Sequence, residues 1–127
     1  MERAMIPRYR AYDGGSLCRM YSPEEVMVGN GDIWIIDEDG VAGEWIVNND
    51  LVLMQSTGLT DKNGKEIFEG DVVKMAQNVY SEPTYYEIVR HRGGAYRLES
   101  EQYGCELWLR HTDCEIAGNI YTRIRNY

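Results

Sequence analysis

From residue 51 onward the chain repeats one unit, an apolar or aromatic run of strand length followed by a break at Gly, Asn, Ser or Pro. LVLMQ, DVVKMA, TYYEIVRH, AYRLES, CELWLRH and EIAGNIYTRI are each short and rich in β-branched or aromatic residues, and each reads as a strand. LVLMQ is apolar on both faces until Gln55, which predicts a central strand. Strands of this length and spacing predict a sandwich or a small barrel.

The front half carries the same punctuation. IPRYRAYDGGSLCRMYS alternates, turns at Gly14-Gly15 and resumes through Tyr21, a hairpin pattern. Ser22-Pro23-Glu24-Glu25 supplies an N-cap, a proline at the first helical position and two acids, but Gly29-Asn30-Gly31 stops any helix within two turns. DIWIID and GEWIV follow, and Asp39-Gly40 predicts the turn that joins them. Asp37, Glu38 and Asp39 invite a metal reading, yet consecutive acids in a strand point to alternating faces and do not converge on one ion. Ten Tyr and three Trp against one Phe suit half-buried sheet positions, where the ring is covered and a polar tip reaches water.

A chain of 127 residues fits one domain, with or without a small subdomain. An apolar fraction of 43% is enough to build a core. Cys18, Cys105 and Cys114 are an odd set at unrelated spacings and no leader precedes them, which predicts a reducing cytoplasm and no disulfide framework. No apolar run approaches the roughly 18 residues of a membrane helix. The net charge of −8 is uneven: +2 over residues 1–12, −10 over 13–71 and 0 over 72–127. An acidic front half repels phosphate backbones, so nucleic acid is disfavoured as a partner.

The stretch GLTDKNGKEIFEGD, residues 58–71, has two readings. An EF-hand loop starting at Asp61 would need an oxygen ligand at position 5, glycine at position 6 and glutamate at position 12. Here position 5 is Lys65, glycine falls at position 4 as Gly64, and position 12 is Val72, so calcium is rejected. A hairpin accounts for the same residues. Asn63-Gly64 tolerates positive φ in a tight connection, Ile67 and Phe68 resume the strand, and Gly70-Asp71 makes a second bend before Val72-Val73. Asp61, Asn63, Gly64, Gly70 and Asp71 are thus assigned as structural turn residues.

LMQSTGLTDKNGKEIFEGDVVK, residues 53–74, resembles the signature of the YopX family of bacteriophage and prophage proteins. IPRYRAYD resembles that family's opening segment and EIAGNIY, residues 115–121, its closing one, so the likeness spans most of the chain. The pattern starts at or just after Met5, leaving Met1 to Ala4 as an extension, and the ending TRIRNY departs from the family's acidic, proline-containing tail. The resemblance implies a phage- or prophage-encoded protein with a β-rich fold. It carries no catalytic residues over to this chain. EGDVVK entering a strand is also similar to the Gly-Asp turn that opens a strand of SH3-like barrels.

Other constellations are sparse. Cys105, His111 and Cys114 lie near one another with Cys18 as a distant fourth, but structural zinc uses paired Cys-x2-4-Cys knuckles and none exists here. His91 and His111 fit no triad or metalloprotease spacing, and no phosphate-cradling glycine loop follows a strand. If the tail is extended, Tyr121, Arg123, Arg125 and Tyr127 share one face, suited to protein contact or to stacking and phosphate contacts on single strands.

The expectation is a mainly β protein with a minor helix. An N-terminal β-rich subdomain, residues 1–57, packs with a short-stranded SH3-like barrel, residues 58–127, or the two form one continuous domain. It is expected to be non-enzymatic, without cofactor or metal, and to act in the cytoplasm through contacts with a host or phage protein and through self-association as a homo-oligomer. The alternative is a nucleic-acid-binding SH3-like barrel with a regulatory role.

Overall fold

The computed structural model describes residues 6–15, 17–37 and 43–122. Within them the chain is mainly β, with helix confined to three short segments. The chain divides into two compact units, Met1–Gln55 and Ser56–Tyr127.

In the first unit, β1 (Tyr9–Asp13) and β2 (Arg19–Tyr21) form an antiparallel hairpin with Ala11 opposite Tyr21. Its turn is steadied by the Gly15 amide, which donates to Asp13 Oδ1 at 2.9 Å. The next strand in space is β6 (Val52–Thr60), whose opening residues pair with β1 from Val52 opposite Tyr12 to Gln55 opposite Tyr9. The helix start at Ser22 yields a single 3-10 turn, Pro23–Glu25, with the Ser22 amide and hydroxyl donating to Glu25 Oε1.

Sequence reading missed what comes next. Val26–Gly29 is a strand, β3, because Val26 and Val28 pair across from Ile35 and Ile33 of β4 (Asp32–Ile36), with Asn30 and Gly31 at positive φ in the two-residue connection. β5 (Trp45–Val47) completes an antiparallel sheet in the order β3-β4-β5. The connection expected at Asp39-Gly40 falls outside the described residues. Ala11, Tyr21, Ile35 and Leu51 form this unit's core, with Val26, Ile33 and Leu53 packed on it.

The second unit begins with the rest of β6, which pairs with β7 (Glu66–Phe68). Five antiparallel strands then make a curled sheet in the order β11-β10-β9-β8-β12, comprising β8 (Asp71–Met75), β9 (Thr84–Arg90), β10 (Tyr96–Glu99), β11 (Gly104–Glu106) and β12 (Glu115–Asn119). Four consecutive strands meander and the fifth returns beside the first. Ile67, Val73, Met75, Tyr86, Ile88, Leu98, Leu107 and Cys114 fill the core.

Two expectations fail in this unit. CELWLRH is not a strand. β11 ends at Glu106, and Leu107–Arg110 forms a short helix, α1, followed by a 3-10 turn at His111–Asp113. Leu107 is fully buried while its successors Trp108 and Leu109 are both largely exposed, a pattern that strand alternation cannot produce. Arg110 holds the segment, donating from Nη2 to the Ala76 carbonyl at 3.0 Å and from Nε to Asp113 Oδ2 at 2.9 Å. EIAGNIYTRI is likewise cut short at Asn119, whose side-chain and backbone oxygens accept the Tyr121 and Thr122 amides and turn the chain.

Candidate functional site

Asp61 is 4% exposed and receives three backbone N–H donors. The Asn63 and Lys65 amides both donate to Oδ1 at 2.9 Å, and the Ile116 amide, 55 residues away, donates to Oδ2 at 2.9 Å. The Lys62 amide adds a bond to the Cys114 carbonyl at 2.9 Å. Burial by itself raises the Asp61 pKa, but those amides and the Lys65 ammonium outweigh it and hold the carboxyl below its ordinary value of 3.8. Both carboxylate oxygens are engaged by backbone N–H donors, two on Oδ1 and one on Oδ2. The β6–β7 hairpin is therefore a clasp that fastens its own turn to β12.

The remaining turn residues serve the same scaffold. Gly64 sits at φ +79. Gly70, at φ +85, donates to the Ile88 carbonyl and accepts from the Ile120 amide, each at 2.9 Å. Asp71, 2% exposed, accepts the Phe68 amide at 2.8 Å. Between Ser56 and Thr60 β6 bulges. Thr57 Oγ1 donates to the Ile67 carbonyl at 2.8 Å and accepts the Leu59 amide, while Ser56 Oγ accepts the Gly58 amide.

The cysteines and histidines also have structural surroundings. Burial pushes the Cys114 thiol up to about 11, and its Sγ donates to the His111 carbonyl at 3.2 Å. Burial likewise raises the Cys105 thiol. His111 Nδ1 carries its proton toward the Thr60 carbonyl at 2.7 Å. Cys18 is exposed in the first unit. Among the described residues no three His, Cys, Asp or Glu side chains are placed to hold one metal ion.

The surface with unspent chemistry lies on the first unit. Met27, Trp34 and Val47 stand opposite one another across β3, β4 and β5, and Ile36 stands opposite Trp45 two residues along. Alternation puts these five on one face, while Val26, Ile33 and Ile35 point the other way into the core. Met27 is 48% and Val47 44% exposed. Met27, Trp34 and Trp45, with Val28, Gly29 and Asn30, line a shallow and mostly apolar hollow of about 330 Å³. The Trp34 indole N–H reaches the Gly29 carbonyl at 3.4 Å, which satisfies its polar atom and leaves the ring to contact a partner.

The stretch of chain that builds this face is acidic, although one base from outside it, Arg8, borders Met27 and Val28 and pairs with Glu24 at 3.6 Å. Residues 20–61 contain nine carboxylates and no Lys or Arg. Glu44 and Asp50 are exposed beside the sheet, and Asp32 accepts from the Asn49 amide side chain at 2.8 Å. Sequence reading did not single out Met27, Trp34, Trp45 or Val47. The available signal was DIWII, which is apolar on both faces although the sheet has only one core side. Of the expected interaction residues, Tyr121 lies exposed in the turn after β12, and Arg123, Arg125 and Tyr127 fall outside the described residues.

Two antiparallel units with a carboxylate-clasped hairpin define a mainly β class of small protein, in which the longest motif is scaffold. Within that class the chain belongs to the YopX family, whose model, described as YopX protein, matches residues 8–123. It is also similar to the crystal structure of protein EF1440 from Enterococcus faecalis, with 26% sequence identity, 93% of this chain and 95% of that chain covered, and a TM-score of 0.59. No curated protein matches this chain. None of the described helices is long and apolar enough to cross a membrane.

Proposed function

We propose that the chain is a phage- or prophage-encoded accessory protein of the bacterial cytoplasm that works without catalysis, by docking a basic-rimmed apolar protein surface onto the β3–β4–β5 face. The carrying observation is the pairing of exposed Met27 and Val47 and two half-buried indoles with a stretch of sequence, residues 20–61, that has acids and no Lys or Arg. Aromatic and Met side chains are enriched at interface centres, and complementary charge steers and selects the partner. Stable interfaces cover about 800 Å² per partner. A five-residue apolar centre supplies only part of that, so the acidic rim has to contribute and binding should weaken with salt. A second copy would set one acidic rim against another, so the self-association expected from the sequence must use a different surface.

The test uses two synthetic amphipathic peptides with the same Leu/Trp face, one with Lys and one with Glu on the opposite face. Titration into the chain, carrying Trp108→Phe to remove the exposed indole of the second unit, is read by indole fluorescence and calorimetry. The Lys peptide should bind in low salt, and Met27→Lys with Val47→Lys should abolish binding without lowering the melting temperature. Equal binding of both peptides, or none of the Lys peptide, would overturn the proposal.

The alternative reading is a nucleic-acid-binding SH3-like barrel. The curled five-stranded sheet supports the barrel half of that reading, and Arg123 and Arg125 support the binding half. It predicts salt-sensitive binding to DNA or RNA that falls when both arginines are replaced.

A further inference from the structure

β5 is an edge strand, and among the described residues it pairs with β4 alone. Trp34 stands opposite Val47, Ile35 opposite Ile46 and Ile36 opposite Trp45. The Asp37 amide donates to the Glu44 carbonyl and the Asn48 amide to the Ile33 carbonyl, so positions 44, 46 and 48 are the ones hydrogen-bonded toward β4. The amides and carbonyls of Trp45 and Val47 therefore point away from β4, and no backbone bond engages them among the described residues.

Folded proteins blunt such edges with lysine, proline, a bulge or a covering segment. β5 has no charge and no proline, and its register against β4 runs without a shift. The opposite edge of the same sheet is flanked, since Pro7, Arg8, Tyr9 and Pro23 line a hollow with Val26 and Val28 of β3. In the second unit, β12 is closed by the Asp61 carboxylate on the Ile116 amide and by the Lys62 amide on the Cys114 carbonyl. Ile46 is 43% exposed although its partner Ile35 lies in the core, and Val47 on the other face is 44% exposed. Both sides of β5 thus present apolar surface along an open row of backbone donors and acceptors.

We propose that β5 pairs antiparallel with β5 of a second copy, about a two-fold axis at Ile46, joining two three-stranded sheets into one of six. The outward groups belong to Trp45 and Val47, so only registers that set odd residues against odd ones can bond. With the axis at Ile46, each Trp45 meets Val47 of the second copy on one face and the two Ile46 side chains meet on the other. Glu44 then falls opposite Asn48, a neutral amide. An axis at Val47 would bring Glu44 toward Asp50, like charge against like, and an axis at Trp45 would leave Val47 opposite Gly43. This edge is a different surface from the acidic-rimmed face of the sheet, and the pairing does not depend on that face being a docking site. Three residues a side fall short of the roughly 800 Å² per partner of a standard interface, so the dimer is weak and its population rises with concentration. Each chain carries a net charge of −8, so salt should strengthen it, the reverse of what docking a basic partner predicts.

The experiment is sedimentation equilibrium of the full chain in high salt, from micromolar to millimolar concentration, with amide exchange followed by NMR. The average mass should climb from one chain toward two. The Trp45 and Val47 amides should gain protection as concentration rises, while the Ile46 amide is protected throughout. Ile46→Lys, at an exposed position, should keep the melting temperature and lose the dimer, whereas Met27→Lys should leave the dimer intact. In a Cys18→Ser background, Ile46→Cys sets two thiols at a non-hydrogen-bonded pair with Cα atoms about 4.5 Å apart, within disulfide range. Mild oxidation should link that variant into a covalent dimer far faster than Val47→Cys in the same background. A mass of one chain at every concentration, equal cross-linking at positions 46 and 47, or a dimer that survives Ile46→Lys would each overturn the proposal.

Discussion

Replacing Asp61 with Asn is the sharpest probe of the clasp, because it conserves shape and removes charge. An Asn oxygen can still accept from the Asn63 and Lys65 amides, but its NH2 then faces the Ile116 amide, donor against donor. Two charge-assisted bonds become neutral ones, at a cost of about 1 kcal/mol each, and one buried amide is left unpaired at about 1–3 kcal/mol. The expected loss is about 3–5 kcal/mol, a large share of the roughly 5–15 kcal/mol that holds a domain together. Urea unfolding measures the total. Amide hydrogen exchange localises it, with Asn63, Lys65 and Ile116 opening far more readily in the variant. The folded pKa lies below 3.8, so the carboxylate's contribution is complete above that value and is lost as pH falls through the folded pKa. The gap between wild type and variant should be flat from neutral pH to about pH 5 and close only in acid. A variant within about 1 kcal/mol of wild type, or one with unchanged exchange at Ile116, would refute the clasp.

Three further outcomes follow from neighbouring geometry. A Cβ at Gly64 would meet no atom within 4 Å, so Gly64→Val should cost only the strain of positive φ, about 1–2 kcal/mol, and Gly64→Asn distinctly less, as separate melts would show. Thr57→Val deletes both bonds that the Thr57 hydroxyl makes in the β6 bulge and should lose about 1–3 kcal/mol by denaturant titration. Iodoacetamide at neutral pH should label exposed Cys18 in the native chain and reach Cys114, buried and raised to about 11, only on unfolding, as peptide mass mapping would report.

The hairpins were legible wherever the connection carried its own chemistry. Gly14-Gly15 and Asn63-Gly64 mark their turns without any knowledge of what packs on them. β3 was hidden because Pro23-Glu24-Glu25 is a helix start, and only the partner strand β4 decides that Val26–Gly29 leaves the helix after one turn. α1 was hidden because Leu, Trp and Leu suit a strand equally well. The burial of Leu107 alone separates the two, and burial is set by the core. From sequence the Asp61 carboxylate reads as a turn former, which is half of its role. Its bond to Ile116 spans 55 residues and leaves no local trace. The apolar face of β3–β5 was present in the composition of DIWII, yet choosing which side stays open required the core on the other side.

The absence of Lys and Arg from residues 20–61 also decides which reagents can see that face. Residues 1–61 contain no lysine, so amine-directed cross-linkers have no lysine to grip on β3, β4 or β5. Trypsin cuts after Arg19 and next after Lys62, so the whole three-stranded sheet leaves as one long peptide. Carboxylate-directed coupling suits the same stretch better, because Glu44, next to Trp45 in the chain, and Asp50 are both exposed.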